Sequence, residues 1–139
     1  MGTYQEIEHT ADYALLVRGS DLRDLLQAAL DGFVALVIDE DRPAPVQWRE
    51  YKVQADDPAT LVMRSVRELL HRLEDGEVPV AAKALEASEE PALARVSVGL
   101  APLAVARKHL HRAIKAVTYH DLQIRRDEHG LSLVLTFDT

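Results

Sequence analysis

Side chains able to do chemistry fall in three short stretches: Glu8-His9-Thr10-Ala11-Asp12, Lys115-Ala116-Val117-Thr118-Tyr119-His120, and the closing pair Asp138-Thr139. With the chain ending at Thr139, the Asp138 side chain and an α-carboxylate lie on adjacent residues, two anionic oxygen groups close together by covalent necessity. Asp12 alongside would make three hard oxygen donors, a set suited to Ca²⁺, Mg²⁺ or Mn²⁺ rather than Zn²⁺. His9 would then stand behind the ligands or carry a proton. The other reading of His9 to Asp12 is an Asx-type turn between strands. In a regular strand Lys115 and His120 point to opposite faces, so they serve one site only if His120 lies past the strand's end.

Several chemistries are excluded or unsupported. The chain has no cysteine, which removes disulfides, zinc thiolates, iron-sulfur clusters and a cysteine nucleophile. It has no Walker loop, GxGxxG element, HExxH or G-x-S-x-G elbow. His109-x-His111 is a close histidine pair that could chelate a transition metal at strand spacing, with no third ligand nearby in sequence. A formal charge of -7 opposes autonomous nucleic-acid binding. A local basic cluster remains in Arg107, Lys108, His109, His111, Arg112 and Lys115, readable also as a solvated face. Neither a signal peptide nor a spanning run is present, so a cytoplasmic location is expected, and Glu6 spoils a myristoylation motif after Met1-Gly2.

The elements that must position these residues are legible from periodicity. The 139 residues, 47% of them apolar, suit one domain spanning 1–139. Strands are expected over 4–8 and 12–18, the second apolar on both faces and therefore central. Gly19 breaks the run, Ser20 is the expected N-cap, and Leu22, Leu25, Leu26, Ala29, Phe33 and Val37 mark a helix over 20–37, with Gly32 a weak spot. A strand over 46–53 carries Trp48 and Tyr51. Asp57-Pro58 then caps and opens a second helix, with apolar Leu61, Val62, Val66, Leu69, Leu70 and Leu73, ending near Asp75-Gly76. Strands follow over 78–87, 92–100, 114–124 and 131–137, while 101–113 suits helix and strand equally. The order argues for an α+β fold, with two helices covering one side of largely antiparallel sheet.

Taken together, His9-Thr10-Ala11-Asp12, Gly19 and Leu22 before a helix with Ala28-Ala29, Leu69-Leu70, Lys115 to His120 and penultimate Asp138 resemble the archease family along nearly the whole chain. The resemblance implies a single compact α+β sandwich. It implies an accessory protein without turnover of its own, which activates an RtcB-type RNA ligase sealing a 3′-phosphate or 2′,3′-cyclic phosphate end to a 5′-hydroxyl in tRNA splicing and RNA repair. It would promote guanylylation of the ligase histidine and multiple turnover, and meet RNA only through the ligase. The implied metal site is Asp12, Asp138 and Thr139, holding Ca²⁺, Mg²⁺ or Mn²⁺, with His9, Lys115 and His120 assisting. The alternatives are a chaperone-like binding module for a partner such as a tRNA-modifying enzyme, and a metal-dependent phosphohydrolase. Ser65, where the family usually has Trp, and Ala113, where it has an acid, depart from the pattern, as does the Ala- and Leu-rich stretch 101–113.

Overall fold

The computed structural model describes residues 2–7 and 13–139. Among the described residues, eight strands form two antiparallel sheets and three α-helices accompany them: β1 (Thr3–Ile7), β2 (Tyr13–Gly19), α1 (Leu22–Val37), β3 (Gln47–Ala55), α2 (Pro58–Glu74), β4 (Glu77–Glu89), β5 (Ala92–Pro102), α3 (Leu103–Ala106), β6 (Ala116–Thr118), β7 (Arg125–Asp127) and β8 (Gly130–Asp138). One sheet runs β1-β2-β8-β6, with β7 also on β8, and the other runs β3-β5-β4. The α+β expectation holds, with one correction. The long helices do not cover one side of a sheet but lie between two: α1 contacts β1, β2, β8 and β4, while α2 contacts β3, β4, β5 and β6. Both sheets therefore turn an apolar face inward onto the helices, and the core is continuous across the layers.

Helix α1 begins one residue later than the Ser20 cap would place it. Asp21 is the N-cap, its carboxylate accepting the Asp24 N–H at 2.9 Å, and Ser20 instead donates to the Asp24 side chain. Gly19 is required just before: a Cβ there would lie 2.3 Å from the Leu25 nitrogen, so only glycine lets β2 run this close to the first turn. Helix α2 starts as expected, with Asp57 accepting the Thr60 N–H at 2.8 Å and Pro58 in the first turn. It stops at Asp75, and Gly76 takes the left-handed backbone, φ 83°, that glycine adopts without steric penalty.

Of the expected strand over 114–124 only the three-residue β6 forms, and β7 follows beyond it, both on one edge of β8. Thr118 pairs with Thr136 and Arg125 with Ser132. Residues 119–124 must thus pass three β8 residues, 133–135, with six of their own. The surplus forces them out of register into a turn. Asp121 makes it with a φ of 50°, a conformation aspartate tolerates better than most side chains. No described helix is long and apolar enough to cross a membrane.

Candidate functional site

Asp138 ends β8, and what fixes it is the residue before it. Phe137 is fully buried, its ring 5.9 Å from that of Phe33 in α1. Its backbone is flanked by Tyr13 of β2 on one side and Val117 of β6 on the other. The end of the strand is therefore anchored rather than frayed, while Asp138 and Thr139 themselves are exposed. The Lys115 backbone N–H donates to the Asp138 carbonyl at 2.8 Å, so the Lys115 and Asp138 backbones are joined at one end of β6. Lys115 is exposed as well.

His9 and Asp12, both expected at the site, lie outside the described residues; Tyr13, which follows Asp12 in sequence, stands opposite Phe137. Among the described residues no group of three or more His, Asp or Glu is gathered for a metal. The donor chemistry at Asp138 and Thr139 fits a hard divalent cation, but falls short of the six to eight oxygens that Ca²⁺ takes. Further ligands from elsewhere would have to complete such a site.

His120 lies at the other end of β6. The strand stops at Thr118, whose hydroxyl accepts the His120 N–H at 3.3 Å, and the Leu122 N–H closes the turn on the Tyr119 carbonyl at 3.3 Å. The structure thus joins Lys115 to Asp138 and leaves His120 exposed past the far end of the strand.

That far end holds an arrangement the sequence reading missed. Tyr119 is 58% exposed, and the guanidinium of Arg67 on α2 is the main reason its phenol pKa falls below the ordinary 10.0; desolvation opposes the shift and Arg64 reinforces it. The available signal was Arg64-x-x-Arg67, two cations on one side of a helix.

The basic segment before β6 has a structural task. His109 and His111 do not converge on a metal. The His109 Nδ1 faces the Asp39 carboxylate at 3.1 Å, and the His111 Nε2 faces the Ala35 carbonyl at 3.2 Å. The Arg112 guanidinium donates to the Leu36 carbonyl at 3.5 Å, pairs with Glu6 at 3.1 Å and lies 4.7 Å over the Tyr13 ring. Helix α1 has no basic residue in its own last turn, so this segment supplies a cation, Arg112, to a carbonyl at the negative end of its dipole. Arg107 and Lys108 instead line an open cavity of about 620 Å³ with Pro43, Ala104, Val105 and His109. Of the departures, Ser65 is buried and donates to the Leu61 carbonyl at 2.8 Å, whereas Ala113 is exposed beside an apolar groove lined by Leu70, Leu103 and Leu110.

Fold and site together define a class: an α+β protein in which two antiparallel sheets enclose two helices and one anchored strand ends on a carboxylate. The chain matches the Archease protein family (MTH1598/TM1083) over residues 4–139, and it belongs to that family. It is 31% identical over 128 residues to the protein archease of Methanopyrus kandleri, covering 90% of this chain and 91% of that one. It is 28% identical over 131 residues to the protein archease of Thermococcus gammatolerans, covering 91% and 90%. Among solved structures, protein 1598 of Methanobacterium thermoautotrophicum superposes with a TM-score of 0.75 at 21% identity, over 98% of each chain. An archease of Thermotoga maritima, described as a possible chaperone, superposes with a TM-score of 0.66 at 24% identity, over 97% of this chain and 96% of that one. At those identities the two structures speak for the fold.

Proposed function

We propose that this protein activates an RtcB-type RNA ligase by promoting metal-dependent guanylylation of the ligase histidine, and performs no turnover itself. Membership of the archease family supports the class of reading. The observation that carries it further is the Asp138 carboxylate, presented to solvent on a strand end that Phe137 anchors, with the Lys115 backbone bonded beside it. Asp138, Thr139 and Asp12 would hold a Ca²⁺, Mg²⁺ or Mn²⁺ ion, whose chemistry is to neutralise phosphate charge as a nucleotide reacts. A donor set left short of a full shell suits an ion shared with a partner's groups. The exposed Lys115 side chain can meet an anionic phosphate or carboxylate of that partner. His9 and His120 have at most assisting roles, and a cytoplasmic location goes with an RNA-repair partner. A chain of net charge -7 also suits encounter with a basic RNA-handling enzyme, since complementary fields raise association rates.

The test is guanylylation of the cognate ligase with GTP and Mn²⁺, alone, with this protein, and with Asp12→Ala or Asp138→Ala. Stimulation that both folded variants lose is the expected result. Equal stimulation by wild type and variants would sink the metal mechanism and favour a binding module that holds its partner without using the carboxylates.

A further inference from the structure

We propose that β3 is the edge through which two copies of this chain pair, antiparallel about a two-fold axis at Tyr51. The inference goes beyond the ligase reading and uses none of its metal residues.

The two edges of the β3-β5-β4 sheet are finished differently. Along β4, side chains stand in for a missing strand: Gln27 and Arg23 of α1 bond to the backbone of Ala82 and Ala84, and Arg42 donates to the Val80 carbonyl at 3.4 Å. Along β3 the cover stops at one bond. Its nine residues pair with β5 alone, and among the described residues Arg64 takes the Gln54 carbonyl at 2.9 Å. That carbonyl therefore points away from β5. Because backbone direction alternates along an antiparallel ladder, Trp48, Glu50 and Lys52 also turn their N–H and C=O groups outward. No side chain meets those three among the described residues.

A second β3 fits this edge because its charges complement themselves when the strand is reversed. In the antiparallel register centred on Tyr51, the midpoint of Gln47–Ala55, Glu50 of each copy falls opposite Lys52 of the other. Both are outward-bonding positions, so each of these pairs exchanges two backbone bonds, and opposed side chains share a face. Shifting the register by two residues sets Glu50 against Glu50 or Lys52 against Lys52, and shifting it by one sets outward groups against inward ones. Lys52 lacks such an acid in its own chain: it stands opposite Arg95 of β5 and makes no ion pair among the described residues. Glu50 donates nothing and accepts from Arg95 on Oε1 alone, which leaves Oε2 for the second copy. Both side chains are exposed.

The experiment is sedimentation velocity of the full chain between about 10 µM and 1 mM, a range suited to a small interface. The mass should rise from one chain toward two. Over the same range hydrogen exchange at the Glu50 and Lys52 amides should slow, while the amides of Arg49 and Tyr51, turned toward β5, stay protected throughout. Glu50→Lys and Lys52→Glu should each weaken the dimer by about tenfold, since either change makes both cross-strand pairs repulsive. An equimolar mixture of the two variants restores opposite charges at both pairs and should recover wild-type affinity, which misfolded variants could not do. A monomer throughout, a dimer indifferent to both reversals, or a mixture no tighter than either variant alone overturns the proposal. So do Glu50 and Lys52 amides that slow only when an RtcB-type ligase is added, an outcome that gives the edge to that partner.

Discussion

Helices α1 and α2 are nearly equal in length and are used in opposite ways. Eleven of the sixteen residues of α1 are buried, against eight of the seventeen in α2. Even the polar side chains of α1 serve the fold: Gln27 donates to the Ala82 carbonyl at 2.9 Å and accepts the Ala84 N–H at 2.7 Å, taking the place of a neighbouring strand along the free edge of β4. Arg23 reaches the Ala84 carbonyl on the same edge. In α2 Arg64 likewise donates to the Gln54 carbonyl of β3 at 2.9 Å, but the rest of the polar stripe, Arg67, Glu68 and His71, makes no side-chain hydrogen bond to a strand among the described residues. The difference teaches where chemistry can be added to this fold. Both helices lie between the sheets, but α1 is buried over most of its surface and has little to offer, whereas α2 leaves about half of its residues at least partly open to solvent.

The largest expected effect breaks that comparison if it fails. Phe33→Ala in α1 removes a fully buried ring and unseats Phe137, and should destabilise the protein by about 3–5 kcal/mol in urea denaturation. Arg67→Ala on the polar stripe of α2 should change stability by no more than about 0.5 kcal/mol. In Phe33→Ala the amide of Lys115, which donates to Asp138, should also exchange with solvent faster, because the anchor of that strand end has gone. Similar losses in the two variants would mean that the helices are not functionally distinct.

Next come the caps. Asp57→Ala at α2 should cost about 1 kcal/mol, and Asp21→Ala at α1 a similar amount, since each carboxylate accepts one unpaired first-turn N–H. Asp57 holds the Thr60 hydroxyl as well, at 3.0 Å. Thermal melts give the totals, and hydrogen exchange locates them: fraying confined to Thr60 in one variant and to Asp24 in the other is the expected pattern.

The caps also mark how far the sequence could be read. Both ends of α2 were legible, because Asp57-Pro58 and Asp75-Gly76 carry their own local chemistry. The start of α1 was missed by one residue, as Ser20 and Asp21 are both competent caps and tertiary placement chose between them. The run 114–124 looked like a strand because its breaking point depends on register against β8. The segment 101–113 was ambiguous because its order comes from α1, through the Ile38 to Leu110 bridge and the histidine contacts. At the site the same division holds. Asp138 was visible as a carboxylate closing an apolar strand, whereas Tyr119 gains its meaning only from arginines on α2, distant in sequence.

The smallest effect concerns a charge that α1 carries at a structural margin. Asp31 accepts from the Gln27 amide at 2.9 Å beside the β4 edge. Desolvation there lifts its carboxyl above the ordinary 3.8, while the Gln27 bond and Arg42 partly oppose the shift. A carboxyl with a raised pKa in the folded state works against stability when ionised, and that penalty disappears as pH falls below the unfolded value. Asp31→Asn keeps the acceptor oxygen and removes the charge. Its melting temperature should therefore exceed wild type slightly at pH 7, and the two should converge by about pH 3. A variant less stable than wild type at pH 7 would show that the Arg42 attraction outweighs desolvation, and that α1 uses even this charge to hold the sheets together.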